Sequence, residues 1–440
     1  MIFSDGVKGL ESTAMDIVSA PTTDLALDEI DFGDPALWYR QDFPGIFAKL
    51  QSERPVSWHT EPEIPGLPHG EGFWSLTRYA DIQHVSRHPD LFISGQGTNI
   101  PDFPPEVYEF LGSMINMDPP RHTRFRLIVN RGFTPHQVNS LEKGVYRRAR
   151  AIVDAICEKG ECDFVDEVAA ALPLQIICDM MGIPESDYRT IYDNTNIVLG
   201  ASDPEFGGDI AMAFTAAQEL WSYAQELRTA RLADPRDDIT TKISQAQVDG
   251  ESLTPEEFGS FFVLLVVAGN ETTRNAISHG MKALTDNPEQ RKIWLNDFDA
   301  VSPSAVEEII RWSTPVIHFR RTCATADAQV GGQLITEGQK VVLWYNAANR
   351  DPEVFDNPYA FDVLRDPNEH VGFGGGGPHF CLGAHLARRE IAVMFDELLR
   401  RLPDIAVTGE PDYLQSNFIH GIKRMPVGFT PQAPVGAAGV

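Results

Sequence analysis

The stretch VGFGGGGPHFCLGAHLARR, residues 371–389, is the most informative part of this 440-residue chain. Four consecutive glycines and a proline precede Cys381, and a helical pattern follows it. Glycines carry no Cβ, so their backbone can lie flat against a planar cofactor and direct N–H groups at the cysteine sulfur. Such donors, together with the N-terminus of a helix, stabilise a thiolate. The stretch therefore predicts a thiolate beside a planar cofactor.

Three other interpretations of residues 371–389 are possible. Cys381 could be a buried structural cysteine beside a flexible loop. Residues 372–377 fit a dinucleotide-type G-x-G-x-x-G, but Pro378 follows at once and no βαβ unit is evident. A zinc site of His379, Cys381 and His385 lacks a fourth ligand at a familiar spacing. The surrounding pattern favours the cofactor interpretation.

The same stretch resembles the haem-binding signature of the cytochrome P450 family. The resemblance implies that Cys381 is the axial metal ligand of haem b, and that Phe373, Gly374 and Gly383 contact the cofactor. One feature departs from the family pattern. The family places an aromatic residue seven positions before the cysteine, where this chain has Gly374, and Phe373 stands one step earlier. An extra glycine therefore lies in the loop.

Glu308-Ile-Ile-Arg311 matches the E-x-x-R motif of the family, which places a carboxylate and a guanidinium on one helix face. The pair precedes the cysteine by about 70 residues, as it does in the family. By itself such a pair could be a solvated surface contact. The segment 355–365 resembles the region that supplies a third partner, Arg365. The resemblance implies a buried structural cluster of all three side chains.

Residues 118–126 resemble the beginning of the helix that crosses above a haem propionate. His122 and Arg126, at positions i and i+4, share one face of this helix. Arg320 and Arg321 are adjacent on a predicted strand, so only one can point inward, and the spacing favours Arg321. The predicted propionate ligands are His122, Arg126, Arg321 and His379. Each of these side chains taken singly could be an exposed charge.

The segment FFVLLVVAGNETT, residues 261–273, resembles the long central helix of the family with its A-G-x-[DE]-T motif. A threonine that bonds to the carbonyl oxygen four residues earlier, here Thr272 to Ala268, can open the helix locally for water. The resemblance implies that Ala268 and Gly269 contact the haem, and that Thr272 and Glu271 are catalytic and help to deliver protons. Without the cysteine stretch, this segment would be interpreted as an apolar core helix.

Composition excludes several classes of function. The formal charge is −27, from 36 basic and 63 acidic residues, so binding to nucleic acid is not expected. Five cysteines are too few and odd in number for a disulfide framework, which favours a cytoplasmic protein. The longest strongly apolar run, residues 261–269, is far shorter than a membrane span, and no membrane anchor is predicted.

The predicted fold is mostly α with a small β region, a single haem-thiolate domain of the cytochrome P450 fold over residues 26–430. Residues 1–25 and 431–440 carry no periodic pattern and are predicted to be flexible. Helical patterns dominate from Pro120 to Asp299, and the segment from Ser94 to Pro105 is an irregular loop that we expect to face the substrate. Predicted strands lie at 56–59, 72–77, 316–322 and 340–344.

The resemblance implies a monooxygenase that inserts one atom of O₂ into a C–H bond of a hydrophobic substrate. Residues 173–184, 266–275 and 418–423 are similar to bacterial enzymes that hydroxylate methyl-branched lipids and sterol side chains at the terminal carbon. The predicted substrate contacts are Ile93, Ile100, Phe103, Leu199, Phe262, Val266, Val267, Val316 and Phe418. A peroxide-driven hydroxylase and a haem-binding sensor of the same fold are the alternatives.

No flavin or nicotinamide domain is fused to the chain, so a separate ferredoxin and ferredoxin reductase are expected to supply electrons. A basic island, on the side of the haem that carries the cysteine, could steer an acidic ferredoxin to this chain. The protein is expected to be a monomer. Its predicted members are Arg121, Arg124, Arg131, His385, Arg388 and Arg389.

Overall fold

The protein is described here by a computed structural model. It covers residues 16–34, 37–38, 40, 42–64, 66–104, 107–108, 110, 113–133, 141–206 and 210–436. Part of the predicted flexible termini, residues 1–15 and 437–440, therefore lies outside the described residues. Residues 16–25 form no helix or strand, and the backbone N–H of Val18 donates to Asn357 Oδ1 at 2.9 Å.

Helices form most of the described structure. Their bounds are α1 Phe43–Glu53, α2 Tyr79–Arg87, α3 Arg121–Val129, α4 Glu142–Ile156, α5 Ala171–Met181, α6 Tyr188–Leu199, α7 Ile210–Ala233, α8 Ile239–Gln245, α9 Pro255–Asp286, α10 Pro288–Asn296, α11 Phe298–Ser313, α12 Tyr345–Ala348 and α13 Ala384–Arg401. Breaks near residues 160, 182 and 236 separate consecutive elements. Gly182, for example, ends α5 in the left-handed conformation with φ of 71°.

The strands are short and belong to four sheets. Their bounds are β1 Val56–His59, β2 Phe73–Leu76, β3 Phe92–Ile93, β4 Glu161–Asp163, β5 His318–Cys323, β6 Ala328–Val330, β7 Gln333–Ile335, β8 Lys340–Trp344, β9 Ala406–Val407, β10 Asp412–Tyr413, β11 Ile422–Arg424 and β12 Pro426–Gly428. The main sheet has the order β1-β2-β8-β5-β3, in which only the β2 and β8 pair is parallel. The predicted mostly α fold with a small β region is confirmed.

The long helix α9 is the centre of the helical part. It begins at Pro255 because Thr254 and Glu257 form a capping box: the N–H of Glu257 donates to Thr254 Oγ1, and the N–H of Thr254 donates to Glu257 Oε2. Over 32 residues it packs against α5, α6, α7, α11 and α13. None of the described helices is long and apolar enough to cross a membrane.

Candidate functional site

The glycine-rich stretch before Cys381 forms a loop closed by a backbone hydrogen bond. The backbone N–H of Cys381 donates to Phe373 O at 3.0 Å. Gly376 and Gly377 have φ of 92° and 76°, a region that other residues avoid. A Cβ at Gly377 would lie 2.2 Å from Ser86 O, because the loop packs directly on the end of α2. The loop therefore needs glycine for both its conformation and its close packing.

Cys381 is exposed, yet desolvation by the surrounding protein raises the pKa of its thiol. The N–H groups of Gly383 and Ala384, at the start of α13, act in the opposite direction on this pKa. The guanidinium groups of Arg126 and Arg388 do the same. These donors and cations stabilise the thiolate form that a metal ion requires.

Four basic side chains converge beside this stretch: His122, Arg126, Arg321 and His379. The rings of His122 and His379 lie 4.4 Å apart. Burial, followed by the charges of Arg321, His122 and Arg126, lowers the pKa of His379 to about 2. Nε2 of His122 is buried and has no hydrogen-bond partner among the described residues. A cluster of this kind is typical of an anion site, because buried carboxylates need several donors.

Strand β5 separates the two adjacent arginines as predicted. Arg321 is directed to the basic cluster, where its charge acts on His122 and His379. Arg320 lies on the opposite face and binds Asp102, with 2.7 Å between Nη1 and Oδ1. Successive residues of a strand point to opposite faces, which accounts for the division.

Helix α9 is buried along most of its length, but one stripe in its middle is accessible. Ala268 is exposed, and Leu264 and Thr272, one turn to either side, are partly exposed. The hydroxyl of Thr272 donates to Ala268 O at 2.8 Å. Gly269 faces α5, and a Cβ there would lie 3.0 Å from Ile177 Cδ1. The missing side chain of Gly269 therefore serves the packing of two helices.

Glu271 is a buried carboxylate on the same helix. One oxygen, Oε1, pairs with Arg274 and accepts a hydrogen bond from Asn275 Nδ2 at 3.1 Å. Arg274 also donates to Asn196 Oδ1 on α6 at 2.9 Å. The second oxygen of Glu271, Oε2, has no partner among the described residues. The carboxylate is thus oriented through one oxygen and can accept a further hydrogen bond through the other.

Glu308, Arg311 and Arg365 form a fully paired cluster between α11 and the segment before the glycine-rich stretch. Arg311 binds both oxygens of Glu308 at 2.7 Å, and Arg365 Nε donates to Glu308 Oε2 at 3.1 Å. The remaining donors of the two arginines reach backbone carbonyl oxygens, among them that of Ala360. The cluster therefore ties α11 to residues 356–365 in the core.

The predicted substrate contacts divide into two groups. Five are partly accessible: Ile93, Phe103, Leu199, Val316 and Phe418. The others are buried, and they are Ile100, Phe262, Val266 and Val267, of which Val267 retains 9% exposure. Ile100 packs in the core beside the main sheet, and the ring of Phe262 lies 6.0 Å from that of Tyr223 on α7. These buried side chains lie in the core instead of on an accessible wall.

Two accessible side chains were missed by sequence reasoning. Leu264 shares the accessible stripe of α9, and its spacing of four residues from Ala268 was the signal that could have found it. Phe319 is partly exposed on β5, and its ring lies 5.5 Å from that of Phe418. It stands two residues before Arg321, but no periodicity singled it out.

Several members of the predicted basic island are paired with acids. Arg124 binds Glu257 at 2.6 Å, and Arg389 binds Glu142 at 2.7 Å. Arg388 pairs with Glu307, and its guanidinium lies 4.5 Å from the centre of the Phe373 ring. Arg121 is exposed and lies 3.6 Å from Glu257, and Arg131 and His385 are exposed. The net positive charge of the island is therefore smaller than the sequence alone indicates.

The fold and the thiolate site define a haem-thiolate monooxygenase, and the chain belongs to the cytochrome P450 family. The model of that family matches residues 300–403, which contain the E-x-x-R pair and the cysteine stretch.

More specific similarities concern lipid-oxidising relatives. The chain is 48% identical to the methyl-branched lipid omega-hydroxylase of Mycobacterium tuberculosis, over 92% of this chain and 96% of the relative. It is 42% identical to the steroid C26-monooxygenase of Rhodococcus jostii, over 91% and 84% of the two chains. A Mycobacterium marinum cytochrome P450 solved in complex with pseudoionone is similar with a TM-score of 0.87 and 44% identity, covering 91% of this chain and 98% of that chain.

Cytochrome P450 enzymes carry haem b, and the residues of this site fit it. A Cβ at Gly383 would meet nothing within 4 Å, which leaves space beside the sulfur. The unpartnered Nε2 of His122 and the neighbouring guanidinium of Arg321 suit the two carboxylates of the cofactor.

Proposed function

We propose that this monooxygenase hydroxylates the terminal carbon of a methyl-branched lipid or of a sterol side chain. The observation that carries the proposal is the similarity to enzymes named for both substrates, each aligned with more than nine-tenths of the chain. In the overall reaction the substrate C–H bond becomes C–OH, and the second oxygen atom of O₂ becomes water. Two electrons and two protons are consumed.

In this proposal Cys381 holds the haem iron through its thiolate, and the four bases hold the propionates. The bases are His122, Arg126, Arg321 and His379. Thiolate-ligated haem, when bound, supplies the cleavage of the O–O bond. The protein positions the substrate, excludes water and delivers protons. The donors around Cys381 oppose the effect of desolvation on the pKa of its thiol and so favour the thiolate.

The proposed proton delivery rests on Thr272 and Glu271. The hydroxyl hydrogen of Thr272 is committed to Ala268 O, so its oxygen is left to accept a hydrogen bond from a water molecule. Oε2 of Glu271 is likewise free to accept one. An acid and an alcohol on successive residues of one helix can then pass protons through water to the reacting oxygen.

The accessible side chains support an apolar substrate. Leu264, Val316, Phe319 and Phe418 are hydrocarbon surfaces, as expected for a site that holds a long alkyl chain. Attack at a terminal methyl group runs against intrinsic reactivity, which favours a tertiary C–H bond. The walls must therefore hold the chain end-on, so that only its last carbon approaches the reacting oxygen.

For electron supply we propose a separate ferredoxin with its reductase, acting on a monomeric, cytoplasmic enzyme. The chain is strongly acidic, so the exposed bases Arg131 and His385 would provide local complementarity to an acidic carrier. The described cysteines are all free thiols, in keeping with a reducing compartment.

The test is a spectroscopic titration of the purified holoenzyme. We expect the reduced carbon monoxide complex to give the absorption band after which the family is named, and Cys381→His to abolish it. We expect a saturable low-spin to high-spin shift with methyl-branched fatty acids or with sterols, and terminal alcohols as products when ferredoxin and reductase are added. No spin shift with either lipid class, or products hydroxylated only at internal carbons, would refute the proposed substrate assignment.

A further inference from the structure

The loop 94–104 is tied to the main sheet by a cluster of four charged side chains. Asp102 lies between two cations: Oδ1 is 2.7 Å from Arg320 Nη1, and Oδ2 is 2.7 Å from Lys340 Nζ. Lys340 also binds Glu61 Oε1 at 2.6 Å. Arg320, Lys340 and Glu61 are at most 9% exposed, whereas Asp102 is 30% exposed. The cluster is formally neutral, and Asp102 is its most solvent-accessible member.

The register of the sheet brings the two cations together. β5 and β8 are antiparallel, with Thr322 opposite Lys340 and Arg320 opposite Val342. Arg320 and Lys340 are thus diagonal neighbours on one face of the sheet. Two cations at this separation repel each other unless carboxylates lie between and beside them. Asp102 and Glu61 meet this requirement, and the cations lower the pKa of the Asp102 carboxyl.

Arg320 also binds the backbone of the loop. Its side chain donates to the carbonyl oxygens of Gln96 at 2.6 Å, Asn99 at 3.2 Å and Ile100 at 3.3 Å, and its backbone N–H donates to that of Thr98 at 2.8 Å. Lys340 adds a bond to Ile100 O at 3.3 Å. An irregular loop must satisfy its carbonyl groups individually. Here one buried guanidinium satisfies three of them, those of Gln96, Asn99 and Ile100.

The first residues of the loop are attached elsewhere. The backbone N–H groups of Ser94 and Gly95 donate to the carboxylate of Asp118 at 2.8 Å, and Thr98 Oγ1 donates to Asn116 Oδ1 at 2.7 Å. These contacts lie beside the basic cluster of the haem site. The loop therefore has an inner attachment at Asp118 and an outer one at Asp102. Asp102 is 30% exposed, so water can reach the outer attachment.

We propose that Asp102 is the latch of this loop, a positioning residue that controls substrate access and release without taking part in the chemical step. Rupture of the contacts of Asp102 with Arg320 and Lys340 frees the outer half of the loop. Phe103, a partly exposed candidate substrate contact, follows the latch directly and moves with it. The inference deepens the proposed function, since it rests on the loop being a wall of the lipid site.

The primary test is hydrogen–deuterium exchange on the substrate-free holoenzyme. In Asp102→Asn we expect the amides of residues 96–102 to exchange at least about tenfold faster, because one partner of a mostly buried ion cluster has lost its charge. Asp102→Glu restores the charge and is expected to recover protection. Asp90→Asn, at an exposed position four residues before the loop, is the matched control and should leave exchange unchanged.

The second readout separates positioning from a merely structural role. In stopped-flow spin-shift measurements we expect Asp102→Asn to release the lipid about tenfold faster while kcat at saturating substrate stays within about twofold. Unchanged exchange at residues 96–102, or a loss of kcat with unchanged release, would overturn the latch. Failure of the proposed lipid to bind would leave the exchange result intact, because exchange needs no substrate, so the two proposals can fail separately.

Discussion

The hydroxyl of Thr272 donates to the carbonyl oxygen of Ala268, 2.8 Å away, and both side chains are accessible in the middle of an otherwise buried helix. The bond keeps the threonine oxygen turned toward the accessible stripe. The same stripe carries Leu264, which makes it the part of α9 that can meet both oxygen and substrate.

Replacing Thr272 by Ala is expected to lower the rate of product formation by about 10²-fold, the lower end of the usual contribution of a side chain positioned for proton transfer. Electron consumption should continue, with oxygen reduced to hydrogen peroxide instead of being inserted into substrate. The measurement is the ratio of hydroxylated product to NADH consumed with a saturating reductase system. Thr272→Ser, which keeps the hydroxyl, is the control. An unchanged ratio in the alanine variant would exclude this role.

Leu264→Ala should affect substrate binding and Val266→Ala should affect stability, because the two side chains lie on different sides of α9. Leu264 is partly exposed, so its truncation should weaken substrate binding severalfold and change the unfolding free energy by less than about 1 kcal/mol. Val266 is fully buried, and its truncation should cost about 2 kcal/mol of stability with little effect on affinity. Spin-shift titration and urea unfolding measure the two quantities. Equal effects of both variants on binding would contradict the proposed stripe.

Glu308→Gln is expected to lower the free energy of unfolding by about 3–5 kcal/mol, since it leaves Arg311 and Arg365 buried without a counter-charge. The matched control is Asp193→Asn, which removes one partner of an exposed pair with Arg189 and should cost less than about 1 kcal/mol. Urea titration of both holoproteins makes the comparison. A cost for Glu308→Gln no larger than that of the control would show that the cluster is not structural.

Two histidines outside the haem site predict a specific acid sensitivity. Burial lowers the pKa of both His318 and His420 to about 4, from about 6.5 in the unfolded chain. Between these values the unfolded state binds more protons, so stability is complete above pH 6.5 and is lost as the pH falls toward 4, by up to about 1.4 kcal/mol per pH unit for each group.

In His318→Gln the contribution of one of these groups disappears. The stability advantage of the natural protein over this variant should therefore shrink by about 1–2 kcal/mol between pH 7 and pH 5. His69→Gln, at an exposed position, is the control, and its difference from the natural protein should stay constant over this range. Urea unfolding at the two pH values provides the measurement. A gap for His318→Gln that is independent of pH would contradict the buried neutral state.

The sequence alone was sufficient to predict the features of the site that depend on short spacings along the chain. Cys381 with its glycines, the i and i+3 pair Glu308 and Arg311, and the bond from Thr272 to Ala268 all depend on short spacings, so each could be predicted from a few neighbouring residues. The bounds of β1 and β8 were also predictable from their short strand-like runs, and the long central helix was predicted from its resemblance to that of the family.

Only the tertiary structure decided which faces of the helices and strands pack against each other. Gly269 packs against Ile177, and Phe262 and Val266 enter the core, because the orientation of α9 is set by five neighbouring helices. The contacts of Arg320 with Asp102 and the loop span more than 200 residues of sequence. No local period encodes such contacts. They form because a buried charge must find its partner wherever the packed chain places one.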